Sequence, residues 1–452
     1  MQKISVKNMS WLVKRISIII LFSLVLGGCG QVNSLFDGKK ESELKGSRIP
    51  ILMKNKTPSI DKTLSSLEVK IPSPITNQSW SQQGGKPNHV LHHLALGSAS
   101  SLVWSKKVGA RSTKDSPILS GPVISNEIIY TMDSDATVSA HSTKGGIFLW
   151  SKEIAPEKET NGSWGGGLAV NAGSVYVATG FAEVLALAAD TGEEIWRTRV
   201  SGPMRAAPTV LNGRVFVITK DNRLFALGSK EGNSLWSHNG FEEMTGLIGS
   251  ASPAVDGDIV IVPYSSGEIY ALRAENGRQL WDENLTAIRR ADAVSALADI
   301  RGRPVINKGR VYAISHSGRM VAIDLKTGRR VWEVPLGGVN QPWISGKFIF
   351  VITSDAKVIC LTAEDGRIRW IKQIGLFKNP KKKKGRINWS GPILAGDRLI
   401  LSGSHGRVLY LSPYTGKIIS ESKLSDAVSR APIVVNKTLF FFTDKARLLA
   451  FR

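Results

Sequence analysis

The string Gly-x-x-x-Trp recurs along this sequence at nearly regular intervals, and it restricts the fold more than any other feature. It stands at Gly146/Trp150, Gly192/Trp196, Gly232/Trp236, Gly277/Trp281, Gly328/Trp332 and Gly366/Trp370, with successive tryptophans 38 to 51 residues apart. Ten residues before each Trp is a small side chain: Ala140, Ala186, Ala226, Ala271, Ala322 and Cys360. Before it comes an apolar run of strand type, such as Arg310-Val311-Tyr312-Ala313-Ile314, and then a turn signal such as Ser317-Gly318 or Ser266-Gly267. Each unit therefore reads as four short strands: one rich in Pro and Val, one of the Val-Tyr-Ala-Ile kind, a third ending at the small residue, and a fourth carrying Trp. Four short strands at this period make a blade of a β-propeller. The small position is expected where the blade is crowded, and Cys360 suits it as a small apolar group.

Two further units are degenerate. One runs from Gly391-Pro392 to Thr415-Gly416, with Tyr410 at the small position and Ser420 at the Trp position. The last begins at Ala431-Pro432 and reaches Ala450 without a fourth strand before Arg452. At the other end, Leu102-Val103-Trp104-Ser105-Lys106 looks like a fourth strand with no first three. Ring closure reconciles the two: the early strand completes the last blade and removes its open edge. The fold class is thus all-β, an eight-bladed propeller of four-stranded blades, with blade starts near 121, 167, 207, 252, 304, 341, 390 and 431. A solenoid would not leave complementary fragments at the two ends.

The segments before the repeats read differently. Lys3, Lys7, Lys14 and Arg15 precede an apolar stretch, Ile16 to Leu26, too short to span a bilayer comfortably. It ends in Leu26-Gly27-Gly28-Cys29, which resembles a bacterial lipoprotein signal with Cys29 as the lipidated residue. Residues 1–28 are read as signal peptide, 29–79 as lipidated Cys and flexible tether, and 80–452 as propeller. Gly30 after the Cys, by resemblance to enterobacterial sorting, implies the outer membrane, with the chain lipid-anchored on its periplasmic face. Removing the four basic signal residues takes the net charge from +22 to +18. Such charge favours an anionic lipid surface or an acidic protein face, and export argues against nucleic acid. The run Lys381-Lys382-Lys383-Lys384 falls in a long connection and is either a solvated loop or a contact to such a surface. With Cys29 lipidated, Cys360 has no disulfide partner.

The repeat resembles the quinoprotein-type propeller repeat, best seen in Ala322-Ile323-Asp324-Leu325-Lys326-Thr327-Gly328-Arg329-Arg330-Val331-Trp332. In that family the Trp packs between blades, and the repeat by itself does not imply a bound quinone. Quinone-dependent dehydrogenases of this architecture carry an adjacent Cys-Cys pair and a calcium site. This sequence has neither two adjacent cysteines nor carboxylates at calcium-loop spacing. His89, His92 and His93 cluster without a nearby Cys or carboxylate, which favours a polar cap over a metal site. No catalytic residue, metal or cofactor is assigned, and the chain is expected not to be an enzyme.

Three further stretches, Trp80-Ser81-Gln82-Gln83-Gly84-Gly85, 295–305 and 314–324, resemble the alphaproteobacterial branch of the BamB family. These are scaffold lipoproteins of the outer-membrane β-barrel assembly (BAM) machinery. The resemblance implies binding to the periplasmic POTRA domains of the central, BamA-like barrel subunit, other BAM subunits as neighbours, and a monomer within a hetero-complex. It places contact loops at 244–251 and 291–303, with Leu247, Ile248, Asp299 and Arg301 as partner-binding residues. Leu247 and Asp299 match family residues; Ile248 replaces an Arg, Thr245 a Leu and Arg301 an Asp of the better-known branch. The alternative is a periplasmic propeller binding a quinone or another small ligand.

Overall fold

A computed structural model describes residues 58–157, 165–204, 206–243, 249–286 and 299–452. Eight four-stranded antiparallel sheets form the blades, at 123–153, 166–199, 209–239, 254–284, 305–334, 343–373, 389–423 and, for the last, 433–451. Blade 8 takes its fourth strand from Leu102–Lys107, which lies antiparallel beside Arg447–Phe451. Ring closure is therefore as the two sequence ends imply.

The small residue has a different reason from the one expected. It is the middle of a cross-strand row on one face of each sheet. In blade 1 the row is Tyr130, Ala140, Trp150; in blade 5 it is Tyr312, Ala322, Trp332; in blade 6 it is Phe350, Cys360, Trp370. A short side chain at the centre lets the flanking aromatic rings close over it, with centroids 5.9, 6.0 and 6.0 Å apart in these three blades. Blade 7 inverts the scheme as Ile400, Tyr410, Ser420, so the large ring moves to the middle and the outer residue shrinks. The row keeps its bulk while exchanging positions, the kind of swap that packed cores accept.

The Trp latches its blade to the next. Indole Nε1 of Trp104, Trp150, Trp196, Trp236, Trp281, Trp332 and Trp370 donates to the carbonyl of Thr143, Ala189, Ser229, Ala274, Leu325, Ala363 and Pro413, at 2.9–3.1 Å. The Gly of Gly-x-x-x-Trp belongs to the receiving side. Gly328 has φ +72°, and a Cβ there would lie 2.6 Å from Cγ of Trp281. Gly328→Ala is thus expected to cost about 2–4 kcal/mol, combining left-handed backbone strain with overpacking. Urea unfolding measures it, with exposed Lys326→Ala as the near-neutral control.

Part of the stretch expected to be tether packs on blade 6. The Asp61 N–H donates to the Ile368 carbonyl at 2.9 Å, Arg369 Nε donates to the Leu67 carbonyl at 2.7 Å, and Leu64 and Val69 are buried. The six residues Ile368–Gln373 are accordingly less exposed than the equivalent outer strand of blade 7. Residues 1–57, including Cys29, lie outside the described residues.

Candidate functional site

Residues 77–94 run round the inside of the ring and touch the innermost strand of all eight blades. Backbone N–H groups of Ile124, Val170, Val255 and Ile306 donate to the carbonyls of Trp80, Ser81, Pro87 and Asn88. The Val210 N–H donates to Gln82 Oε1, and Gln82 Nε2 returns a bond to the Val210 carbonyl at 2.7 Å. His92 meets the Ile344 backbone, the Leu94 N–H donates to the Leu394 carbonyl, and Asn77 Nδ2 donates to the Val434 carbonyl at 2.9 Å. These eight partners occupy one equivalent position in the eight blades. Trp80, Leu91 and Leu94 are buried behind them, so protein occupies the axis where an open propeller would have a channel.

The histidine cluster belongs to this plug. His89 Nδ1 sits 2.7 Å from the Pro304 carbonyl, His93 Nδ1 2.8 Å from the Pro72 carbonyl, and the Asp397 N–H donates to His93 Nε2. Burial pushes the His89 imidazole down to about 3, so it is neutral near pH 7. No grouping of three His, Cys, Asp or Glu suited to a metal occurs among the described residues.

On one side the plug forms the floor of a cup of about 540 Å³. Antiparallel alternation puts the segments entering the inner strands, and the turns between second and third strands, on this face. Gln83 and Gly84 of the plug, Arg301 and Arg303 before blade 5, Asn340 and Gln341 before blade 6, Arg386 to Ile393 entering blade 7 and forming the start of its inner strand, and Arg430 before blade 8 line it. Trp80 and Trp343, stacked at 6.4 Å, and Trp389 supply aromatic wall. Arg430 is neutralised by Asp444 at 2.7 Å and held by the Ile118 and Phe442 carbonyls. Arg303 reaches only Gln83 Oε1, at 3.3 Å, and its buried Nε makes no hydrogen bond to the described residues. Burial, with the neighbouring Arg301 charge added, pushes the Arg303 guanidinium down to about 10.

Asp299 and Arg301, expected to contact a partner, sit here. Asp299 is buried, and its carbonyl accepts from the His316 N–H at 3.0 Å. Arg301 is half-buried against the cup; burial lowers its pKa and the Asp299 charge opposes that shift. Leu247 and Ile248 lie outside the described residues. The Lys381–Lys384 run is the exposed tip of a small hairpin, Phe377–Asn379 with Lys384–Arg386, which ties to the cup rim through Arg386 and the Ser354 carbonyl at 2.6 Å. Of the cup arginines sequence reasoning singled out Arg301 and missed Arg303, Arg386 and Arg430, although for Arg303 a signal existed. Before the inner-strand proline five other blades carry Gly121, Ala207, Ser252, Gly391 and Ala431, whereas blade 5 carries Arg303 and blade 6 carries Gln341.

The latched rows and the closed ring define an eight-bladed propeller of the quinoprotein-like repeat class. A family model described as outer membrane protein assembly factor BamB matches residues 134–372. The chain belongs to that family. It is 25% identical to the outer membrane protein assembly factor BamB of Yersinia pestis, covering 77% of this chain and 88% of that relative. A Rickettsia prowazekii protein is 26% identical over 74% of this chain and 83% of its own length. The crystal structure of BamB from Moraxella catarrhalis superposes with a TM-score of 0.64 at 19% identity, covering 77% of this chain and 99% of that one. A europium-containing methanol dehydrogenase also reaches 0.64, at 15% identity, over 80% and 89% of the two chains. The shared fold therefore does not separate assembly factor from enzyme.

Proposed function

We propose that this chain is a non-enzymatic scaffold lipoprotein of the outer-membrane β-barrel assembly complex. Anchored through Cys29 at the periplasmic face of the outer membrane, it binds the POTRA domains of a BamA-like subunit and aids insertion of outer-membrane proteins. The family membership carries this reading, since the named relatives are assembly factors. The absence of adjacent cysteines supports a non-enzymatic role. Residues 30–57 then connect the anchor to the propeller. The docking loops are 244–251 and 291–303, with Leu247 and Ile248 as apolar anchor. Asp299, being buried, acts through the shape of its loop and is a poor place for a test substitution.

Leu247→Asp separates docking from folding. In pull-downs from detergent-solubilised membranes it is expected to cut recovery of the barrel subunit about tenfold or more, as loss of a central anchor does. β-Type circular dichroism should be unchanged. Recovery equal to wild type would reject these loops, and failure of the wild-type chain to capture any assembly subunit would reject the scaffold reading.

A further inference from the structure

The cup combines three properties that scaffolding does not require. It is closed at one end by the plug, so it is a pocket. Its volume of about 540 Å³ is in the range of small-molecule sites. Its charge is one-sided: Arg301, Arg303, Arg386 and Arg430 line it, with no Asp or Glu among the described lining residues. Asp444 answers Arg430 and the Asp299 charge acts on Arg301, which among the described residues leaves Arg303 with only the neutral amide of Gln83. Placing a guanidinium in a half-buried wall without a carboxylate is costly unless an anion completes it. The planar fork of Arg matches a carboxylate. Trp80, Trp343, Trp389 and Ile393 add apolar atoms to the same lining.

We propose that this axial cup binds a small organic acid, its carboxylate held by Arg303 and Arg301 and its apolar body lying against Trp343 and Trp389. The exposed lysines 381–384 near the rim raise the local positive potential and speed entry of an anion. The cup takes Gly249, Ser250, Arg301 and Arg303 from the two proposed docking loops, so it is tested by ligand binding to the chain alone, whose failure is distinct from a failure to capture a partner.

The test is calorimetric titration of the full chain in detergent with isophthalate, its neutral diamide and inorganic phosphate. Isophthalate should bind, and the diamide and phosphate should each bind at least about tenfold more weakly, since one lacks charge and the other an apolar body. Arg303→Gln should weaken isophthalate about tenfold or more, while Lys144→Gln, on the opposite face, should not. If thermal melting shows that Arg303→Gln fails to fold, Arg301→Gln and the cup-filling Ser250→Phe serve instead, with the same loss expected. Equal binding of dicarboxylate and diamide, or binding indifferent to the folded cup variants, would overturn the site. Phosphate binding as tightly as isophthalate would overturn the organic-acid class.

Discussion

Trp104→Ala is expected to destabilise the protein by about 3–4 kcal/mol, near the usual loss for a Trp truncation in a packed site. It should also open the ring, which the same change in another blade should not do. Three attachments meet at this residue. Its indole donates to the Thr143 carbonyl of blade 1, packs on Phe440 at 6.0 Å, and pairs across the sheet with Ala450. Every other outer strand is joined to its blade by a covalent turn. The closing strand has none, and it is held in the blade by pairing with Arg447–Phe451, extended by reciprocal bonds between Ser101 and Arg452, and by the packing of Trp104 on Phe440. The seam on the other side of blade 8 is already without a latch, because Ser420 stands at the Trp position of blade 7. Losing Trp104 would leave blade 8 unlatched on both sides. Trp281→Ala is the comparison, since it removes one latch, from Trp281 to the Leu325 carbonyl, in a blade whose strands are all covalently joined. Equilibrium unfolding in urea and limited proteolysis measure the difference. New cleavage between residues 98 and 112 is expected for Trp104→Ala alone. An unfolding free energy within about 1 kcal/mol of wild type, with that segment still protected, would refute the role given to this strand.

How much of this could be read from the chain depends on whether repetition was available. Each blade repeats the same four strands, so register errors in one are corrected by the others, and the eight blades follow from period alone. Closure was legible because Trp104 keeps the repeat's residue while lying far from the repeats. The physical reason for the small position was not legible. Ala322 lies ten residues from Trp332 in sequence, but only the bulged register across the third and fourth strands places them opposite each other, with Tyr312 on the far side. The plug was illegible for the opposite reason. Residues 77–94 have no period, and they are held by one or two bonds each, some from backbone and some from side chains, to eight different strands. Composition gives such a segment the look of a linker, as it does for Asp61 to Val69 on blade 6. Arg303 hid in the repeat, because Gln341 in the next blade also departs from Gly, Ala or Ser before that proline, so a larger polar residue there does not stand out.

Replacing residues 77–94 by a Gly/Ser linker of equal length should abolish the cooperative native state, because every blade loses a partner at the axis. The Val210 N–H would lose its acceptor, Gln82 Oε1, and the backbone carbonyls that accept from Ile124, Val170, Val255 and Ile306 would no longer be fixed by buried side chains. Each unsatisfied buried donor costs about 1–3 kcal/mol unless water replaces the partner. Trp80, Leu91 and Leu94 would leave a void that water can enter. Trp80→Ala, a milder form of the same change, should cost about 3–5 kcal/mol. The plug also gives stability a pH dependence whose sign is fixed by His89. Its pKa is held at about 3 in the folded chain by burial, partly offset by the Pro304 carbonyl and reinforced by the Arg303 charge. The unfolded value is about 6.5. Between these values the unfolded chain binds more protons, so this contribution is complete above about pH 6.5 and is lost as pH falls toward 3. The full span is on the order of 4 kcal/mol. Urea midpoints at about pH 7, 5 and 4 should fall steadily for the wild type and less steeply for His89→Gln, which cannot take up that proton. Identical slopes for the two proteins would show that His89 does not stay neutral in the plug, and an unchanged urea midpoint for Trp80→Ala would show that the plug does not hold the blades.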